Sequence, residues 1–214
     1  MSMSHLTNDK NGHEQPLSFP ISYYSEQGWK LIPCHGIGPA GCNCGSSHSG
    51  RSDGGKHPLI SDWPIKATSD PHELHNWFGN ETKNNVAVVC DESGLVVIDI
   101  DPRNGGDESF IALESFLGGA IPKTVTALTG EYIVKGKKVR GRHLYFKADP
   151  TAQYIKDFSR LGYKGIDVKS NGYVLLSPSH HSSGVSYEWV DGLSPFDTEI
   201  VELSMELKSV MIKG

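Results

Sequence analysis

Leu95-Val96-Val97-Ile98-Asp99-Ile100-Asp101, followed at once by Pro102, is the most telling run in the chain. Its apolar, largely β-branched run reads as a buried strand. Successive side chains on a strand point to opposite faces, so Asp99 and Asp101 share a face, about 7 Å apart. Pro102 and the Gly105-Gly106 pair stop the strand just beyond. Two carboxylates on one face repel each other. A hard cation, Mg²⁺ or Mn²⁺, most often sits between such a pair, because carboxylate oxygens suit these ions. The plainer reading is a solvated strand end with two surface aspartates, and the rest of the chain decides between them.

Working outward, Val86-Ala87-Val88-Val89-Cys90 reads as another buried strand. Asp91-Glu92-Ser93-Gly94 reads as a tight turn, so 86–100 is expected to form a hairpin of two apolar strands. Further upstream, Leu17, Phe19, Ile21 and Tyr24 mark a helix that Gly28 ends, with a short strand over Trp29–Pro33. Trp63–Phe78 is expected to be helical after an opening turn, with Asp70 as a cap and Pro71 at the first helical position. Downstream, Ser109–Leu117 reads as an amphipathic helix with Phe110, Leu113, Phe116 and Leu117 on one side. Thr124–Leu128 reads as a strand turned by Thr129-Gly130, and Arg142–Phe146 as an alternating strand. Strands are also expected over Tyr163–Val168, Tyr173–Leu176 and Tyr187–Val190, with type I′ turn chemistry at Asn171-Gly172. A last helix is expected over Pro195–Val210.

The 214 residues suit one large domain or two small ones, and no repeat or long linker divides them. With 37% hydrophobic and 21% charged residues, the chain can bury a core. No apolar run approaches the ~20 residues that span a bilayer. Residues 1–16 are polar and read as a disordered lead-in rather than a secretory signal. Residues 17–193 read as the domain, and 194–214 as a C-terminal helix. A net charge of −5 gives no global attraction to nucleic acid, although a local patch can override the total. Cys42 and Cys44 are too close for an easy mutual disulfide, and nothing marks secretion. Reduced thiols and a cytoplasmic location are therefore expected.

Three constellations carry chemistry. The first is acidic: Asp99, Asp101 and a third aspartate, Asp167, on another strand. Three carboxylates converging from neighbouring strands make a seat for two hard cations about 3.5–4 Å apart, which clamp the attacking and leaving oxygens of a phosphoryl displacement. The second is Arg142, His143 and the run Ser177-Pro178-Ser179-His180-His181, suited to an anionic triphosphate. The surrounding 135–147 stretch holds Lys135, Lys137, Lys138, Arg140, Arg142 and Lys147 with no acid. A solvated basic hairpin is the plainer reading of it. The third is Cys42-x-Cys44 with His48 and His57, four N/S donors with the arithmetic of a structural Zn²⁺ site. They lie in a Gly/Ser-rich stretch, 34–58, that has almost no apolar residue to fold around. Cys34 and His35 are spare donors.

The order of these motifs resembles the bifunctional DNA primase/polymerase (Prim-Pol) domain of the archaeo-eukaryotic primase superfamily, found in phage and plasmid replication proteins. The resemblance runs from about Ile21 to Trp189. It is carried by Gly28-Trp29-Lys30-Leu31-Ile32-Pro33, Gly55-Lys56-His57-Pro58, Ala67-Thr68-Ser69-Asp70-Pro71 and Asn85-Val86-Ala87-Val88. It continues through Val97-Ile98-Asp99-Ile100-Asp101, Gly141-Arg142-His143-Leu144-Tyr145-Phe146, Gly165-Ile166-Asp167-Val168 and Gly172-Tyr173-Val174-Leu175-Leu176-Ser177-Pro178-Ser179. Each piece is weak alone; the eight in this order are specific.

The resemblance implies an α/β (α+β) archaeo-eukaryotic primase fold: an N-terminal α/β unit beside an RRM-like antiparallel sheet, with a zinc-binding loop inserted at 34–58. It implies that Asp99, Asp101 and Asp167 bind catalytic Mg²⁺ or Mn²⁺. His143 falls at the family's small-x-His nucleotide contact, and Arg142, Ser179 and His181 where phosphate contacts are expected. Many relatives carry a Cys-x-Cys-Gly…Cys…Gly-Lys-His-Pro insertion; here His48 stands where a third cysteine is usual, so the ligands Cys42, Cys44, His48 and His57 keep His35 as reserve, and Cys34 is demoted. The implied activity is template-dependent DNA primase and polymerase action, with single-stranded DNA and nucleoside triphosphates as substrates. The implied neighbour is a helicase domain in the same full-length chain. Two other readings use the same residues: a metal-dependent nuclease or phosphodiesterase, and a non-catalytic module that binds single strands.

Overall fold

The computed structural model describes residues 6–8, 14–48, 53–79, 82–119 and 121–213. The elements run β1 (Leu6–Asn8), β2 (Glu14–Pro16), α1 (Phe19–Glu26), β3 (Leu31–Cys34), β4 (Ile37–Gly38), β5 (Gly41–Cys42), α2 (Trp63–Lys66), α3 (Pro71–Phe78), β6 (Asn85–Val89) and β7 (Leu95–Ile100). They continue with α4 (Gly106–Phe116), β8 (Thr126–Val134), β9 (Lys137–Lys147), β10 (Ile166–Lys169), β11 (Tyr173–Leu175), β12 (Glu188–Trp189), β13 (Val201–Glu202) and α5 (Met205–Met211). The larger sheet has the order β10-β7-β9-β8-β12, with β13 beside the end of β9; a smaller sheet has the order β11-β6-β3. All pairings in both are antiparallel except β13 with β9. This is the expected mixed α/β architecture with antiparallel sheets.

The two faces of β7 explain its unbroken apolar run. Leu95 and Val97, with Ala127 and Tyr145, pack against Leu31, Val86, Val88 and Val174 of the smaller sheet and against Ile21 and Tyr24 of α1. Val96, Ile98 and Ile100 pack on the other side against Phe110 and Leu113 of α4 and Leu207 and Met211 of α5. A strand buried on both faces shows no polar alternation until it leaves the core, and β7 leaves it at Asp99.

Several sequence expectations are corrected. β6 and β7 do not form a hairpin: β6 bonds β3 and β11, whereas β7 bonds β9 and β10. The 3₁₀ turn Asp91–Ser93, closed by Gly94 in the left-handed region, passes the chain from one sheet to the other. Each strand is apolar on both faces, which suits the centre of either of two stacked sheets as well as it suits a hairpin. Thr129-Gly130 is not a turn. β8 runs through it with a register shift between Leu128 and Glu131, and the chain reverses at Lys135 and Gly136, both with positive φ. Glycine is required at 130 for another reason: a Cβ there would run into the His181 imidazole ring.

The helix expected over Pro195–Val210 is instead β13 followed by α5. β8 begins opposite Leu144, which leaves one edge of the end of β9 open, and Val201 and Glu202 fill it opposite Phe146 and Lys147. Phe116 is 68% exposed at the edge of the α4 stripe, while Leu117 is buried. The expected 63–78 helix is interrupted between α2 and α3, where Thr68 bridges to Leu31. Asp70 caps α3 by accepting from the His72 amide. Within the expected lead-in, β1 pairs with β2; the remainder of 1–16 lies outside the described residues. Among the described residues no helix is long and apolar enough to cross a membrane, and all four cysteines are free thiols.

Candidate functional site

Register builds the acidic site. Across the larger sheet Asp167 of β10 lies directly opposite Asp99 of β7, and Asp99 lies directly opposite His143 of β9. Opposed residues of antiparallel strands share a face with Cβ atoms about 4.5–5.5 Å apart. The three side chains therefore form a row at the end of the face that, further back, is core. Asp101 continues on that face, and its amide donates to the Gly165 carbonyl at 2.8 Å. Two glycines permit this geometry. A Cβ at Gly165, where φ is +70°, would lie 2.7 Å from the Gly106 amide nitrogen and 2.8 Å from the Asp101 oxygen; a Cβ at Gly141 would meet Thr129 Oγ1.

Each carboxylate faces a basic group of the same chain. Asp99 Oδ1 lies 3.5 Å from His143 Nε2. Burial pushes the Asp99 carboxyl up, but His143, Lys169 and Lys56 outweigh it and hold the group below the usual carboxylate range. Arg103 donates from Nε and Nη2 to the two oxygens of Asp101 at 3.0 and 2.7 Å, while its guanidinium lies 4.2 Å over the Tyr132 ring. Lys169 donates to Asp167 at 2.7 Å. Lys56 of the 34–58 loop is half-buried, and its charge acts on Asp99. Burial lowers its pKa, Asp99 and Asp101 raise it, and Arg103 and Lys169 oppose them. Arg103 and Lys169 lie outside the motifs that mark the acids. For Lys169 the signal was available, since a residue two places from Asp167 on a strand must share its face.

The 34–58 loop is assembled differently. One ligand atom from each of Cys42, Cys44, His48 and His57 lies within 4.8 Å of the other three. Tetrahedral zinc with the usual Zn–S and Zn–N lengths needs donors about 3.3–3.8 Å apart, so small rotations suffice. The surroundings fit a metal too. The Gly55 amide donates to Cys42 Sγ at 3.4 Å and the Ser46 amide to Cys44 Sγ at 3.3 Å. His48 Nδ1 lies 2.9 Å from Asp53 Oδ1, and His57 Nδ1 lies 3.1 Å from the Asp53 carbonyl, which leaves Nε2 of both rings for a metal. The His48 and Ser46 hydrogen bonds bring the Cys44 thiol down to about 6. His35 stands outside the group: it bonds Asn43 at 2.8 Å and stacks on His57. Cys34 is fully buried, which pushes its thiol up to about 12. Among the described residues the three acids form no such convergent group.

A family model for the N-terminal domain of bifunctional DNA primase/polymerases matches residues 21–204. The chain belongs to this family. Comparison with curated proteins gives no match. Membership implies a nucleotidyltransferase-type enzyme that handles DNA and nucleotides in replication.

The remaining residues expected to serve primase/polymerase chemistry are placed less uniformly. Arg142 follows strand alternation onto the face opposite His143, where it donates to Asp107 at 2.8 Å and lies 5.1 Å over the Phe110 ring. Ser179 is 3% exposed; its hydroxyl accepts from the Val86 amide and donates to the Val86 carbonyl. His181 borders the acid cleft, but Nδ1 accepts from the Ser183 amide at 3.0 Å and Nε2 lies 3.2 Å from Tyr132 Oη. Burial, then the charges of Lys56, Arg103 and Arg140, lower its pKa to about 4, so it is neutral at pH 7. In the basic stretch Lys135, Lys138, Arg140 and Arg142 pair with Glu108, Glu131, Glu188 and Asp107. Lys137 and Lys147 are exposed. A cavity of about 650 Å³ is bordered by Ile37, Phe78, Asn84, Ser179, His180 and His181, and none of the three acids lines it.

Proposed function

We propose that this domain makes and extends primers on single-stranded DNA by two-metal nucleotidyl transfer. The observation that carries the reading is the row Asp167–Asp99–His143, formed by three separate strands and extended by Asp101. Asp99, Asp101 and Asp167 are the residues that would hold the divalent ions. When bound, Mg²⁺ or Mn²⁺ would lower the pKa of the primer 3′-hydroxyl and neutralise charge on the triphosphate. Arg103 and Lys169 pair with Asp101 and Asp167, and would be the cations left to face the phosphates if those acids held ions. His143, held beside Asp99 and backed by Tyr145, orients the nucleotide at the same row. Cys42, Cys44, His48 and His57 would hold a structural Zn²⁺, which would order a loop that lacks a core of its own. The biological setting that fits is phage or plasmid replication, with a helicase supplying the unwound template.

The test is incorporation of labelled nucleotides on single-stranded DNA, with and without a preformed primer. The reading expects products that require Mg²⁺ or Mn²⁺ and disappear with Asp99→Asn. Strand cleavage without nucleoside triphosphates supports the nuclease instead. Strand binding that survives loss of all three acids, with no product under any metal, supports the binding module.

A further inference from the structure

The register shift in β8 decides which face the end of the strand presents. Before it, Ala127 lies opposite His143 and Leu128 opposite Arg142; after it, Glu131 lies opposite Arg140 and Tyr132 opposite Val139. Val139, Gly141 and His143 of β9 share a face by strand alternation. Tyr132 therefore stands on the face of His143, which is the face of the acid row. An unbroken register would have paired Tyr132 with Lys138 and turned it away, because a one-residue slip moves every later side chain to the other face. Bulges of this kind re-aim side chains beside functional sites.

Tyr132 is held on two sides. Its ring lies under the Arg103 guanidinium, 4.2 Å from the ring centre. Arg103, on the 3₁₀ turn Pro102–Asn104, donates from Nε and Nη2 to Asp101. The Tyr132 hydroxyl lies 3.2 Å from His181 Nε2. Gly130 leaves room for that pair, since a Cβ there would lie 2.6 Å from Tyr132 Oη and run into the His181 ring. His181 Nδ1 lies 3.0 Å from the Ser183 amide, and an amide nitrogen only donates, so Nδ1 accepts. The imidazole is then neutral with its proton on Nε2, which donates to Tyr132 Oη. The Tyr132 hydroxyl keeps its own proton to give, and no described residue accepts it.

Arg103 has donors to spare as well. Nη1 and the second Nη2 proton meet no acceptor among the described residues. A guanidinium laid over a ring keeps its N–H edges in its own plane, open to acceptors. A half-buried O–H and a guanidinium edge thus stand together beside Asp101 with protons to give, and such donors suit phosphate oxygens. A triphosphate presents a run of these oxygens and a large charge; a backbone phosphodiester presents less of both. We propose that Tyr132 and Arg103 form one anion-binding unit that takes phosphate oxygens of the nucleoside triphosphate, with His181 and Gly130 positioning it. This assignment rests on the nucleotidyltransferase reading of the acids. It gives the bulge in β8 and the buried His181 ring a part in nucleotide binding. Asp101 also accepts from the Arg103 amide at 2.9 Å and from Asn104 Nδ2 at 3.0 Å, so its carboxylate stays held when the Arg103 side chain is replaced.

The experiment compares the protein with Tyr132→Phe, Tyr132→Leu and Arg103→Gln. It measures the Kd for a fluorescent nucleoside triphosphate with Mn²⁺, the Kd for a single-stranded oligonucleotide without added Mn²⁺, thermal melting, and the KM and kcat for extending a preformed primer. Tyr132→Phe keeps the ring and loses the O–H. It is expected to weaken triphosphate binding about tenfold, as loss of one hydrogen bond to a charged group does, and to raise KM with kcat nearly unchanged. Arg103→Gln is expected to weaken triphosphate binding about 10- to 100-fold. Tyr132→Leu also removes the ring under Arg103 and is expected to lose as much as Arg103→Gln. Tyr132→Phe and Arg103→Gln are expected to melt close to the parent and to bind the oligonucleotide as it does. Unchanged triphosphate binding in Tyr132→Phe overturns the role of the hydroxyl, and in Arg103→Gln that of the guanidinium. A Tyr132→Leu defect no larger than that of Tyr132→Phe overturns the single unit. An equal loss of oligonucleotide binding overturns the choice of the triphosphate and assigns the donors to strand phosphates. A fall in kcat at constant KM, with a lowered melting curve, overturns the assignment and makes the pair structural. A parent protein that binds no triphosphate would instead sink the nucleotidyltransferase reading itself.

Discussion

The Cys/His loop and the acid cleft gather functional side chains by opposite means. In the loop, four donors between Cys42 and His57 converge within 4.8 Å, with backbone amides and Asp53 around them. Among the described residues from Cys42 to His57 only Gly54 and Gly55 are buried, so ordering the loop falls to chemistry rather than burial. In the cleft, Asp99 and Asp167 stand together only because two strands pair in one register, and Asp99, Asp101 and Asp167 each face a different basic group. The convergent donor set would need only small shifts to hold an ion. The spread acid set is balanced by Arg103, Lys169 and His143.

Four substitutions test this contrast. The largest effect is expected from Asp99→Asn: nucleotidyl transfer falls on the order of a thousandfold, measured as incorporation per chain, while zinc content is unchanged. Parallel loss of zinc would show that the two regions are not separable. Next, Cys44→Ser should weaken zinc binding by about a hundredfold or more, measured by competition with a chelating dye. Limited proteolysis should then cut within 36–58 while the sheets melt nearly as before. A collapse of the whole melting curve would mean that the loop supports the core.

Asn85→Ala tests the seam between the regions. Asn85 is 1% exposed; it donates to the Gly55 and His180 carbonyls and accepts from the His180 amide. Losing these buried bonds should cost about 3–4 kcal/mol in denaturant unfolding. A loss under about 1 kcal/mol would show that the loop is held without it.

His181 gives the smallest effect, and one that depends on pH. Its folded pKa, about 4, lies below the 6.5 of the unfolded chain, so the fold holds the neutral ring. The stability it contributes is complete above pH 6.5 and is lost as pH falls toward 4. Relative to His181→Gln, the parent should therefore lose up to roughly 3 kcal/mol across that window. Parallel stability curves would contradict the buried, neutral imidazole.

The sequence made the loop legible because its donors are neighbours in the chain: the spacing of Cys42, Cys44, His48 and His57 names the group that the fold brings together. β7 was legible because a two-face-buried strand shows itself as an apolar run ending in acids. The partition of β6 and β7 into different sheets was not, because both read as apolar on each face. Gly130 looked like a turn residue, but it is glycine to let the His181 ring approach. Arg142 was legible and misread: one position from His143 on a strand, it had to face Asp107 and α4 instead of the acids. The docking of the 55–59 segment on β3 and Asn85 was hidden because it is made by long-range bonds.

The central claim is that Asp99, Asp101 and Asp167 together form a cation seat. Manganese titration followed by electron paramagnetic resonance, with saturating nucleoside triphosphate and zinc already bound, measures it directly. The parent protein should bind two Mn²⁺ ions per chain, and Asp167→Asn should lose at least one of them while keeping its fold. Equal Mn²⁺ binding by the parent and the Asp167→Asn, Asp99→Asn double variant would contradict the seat and the mechanism built on it.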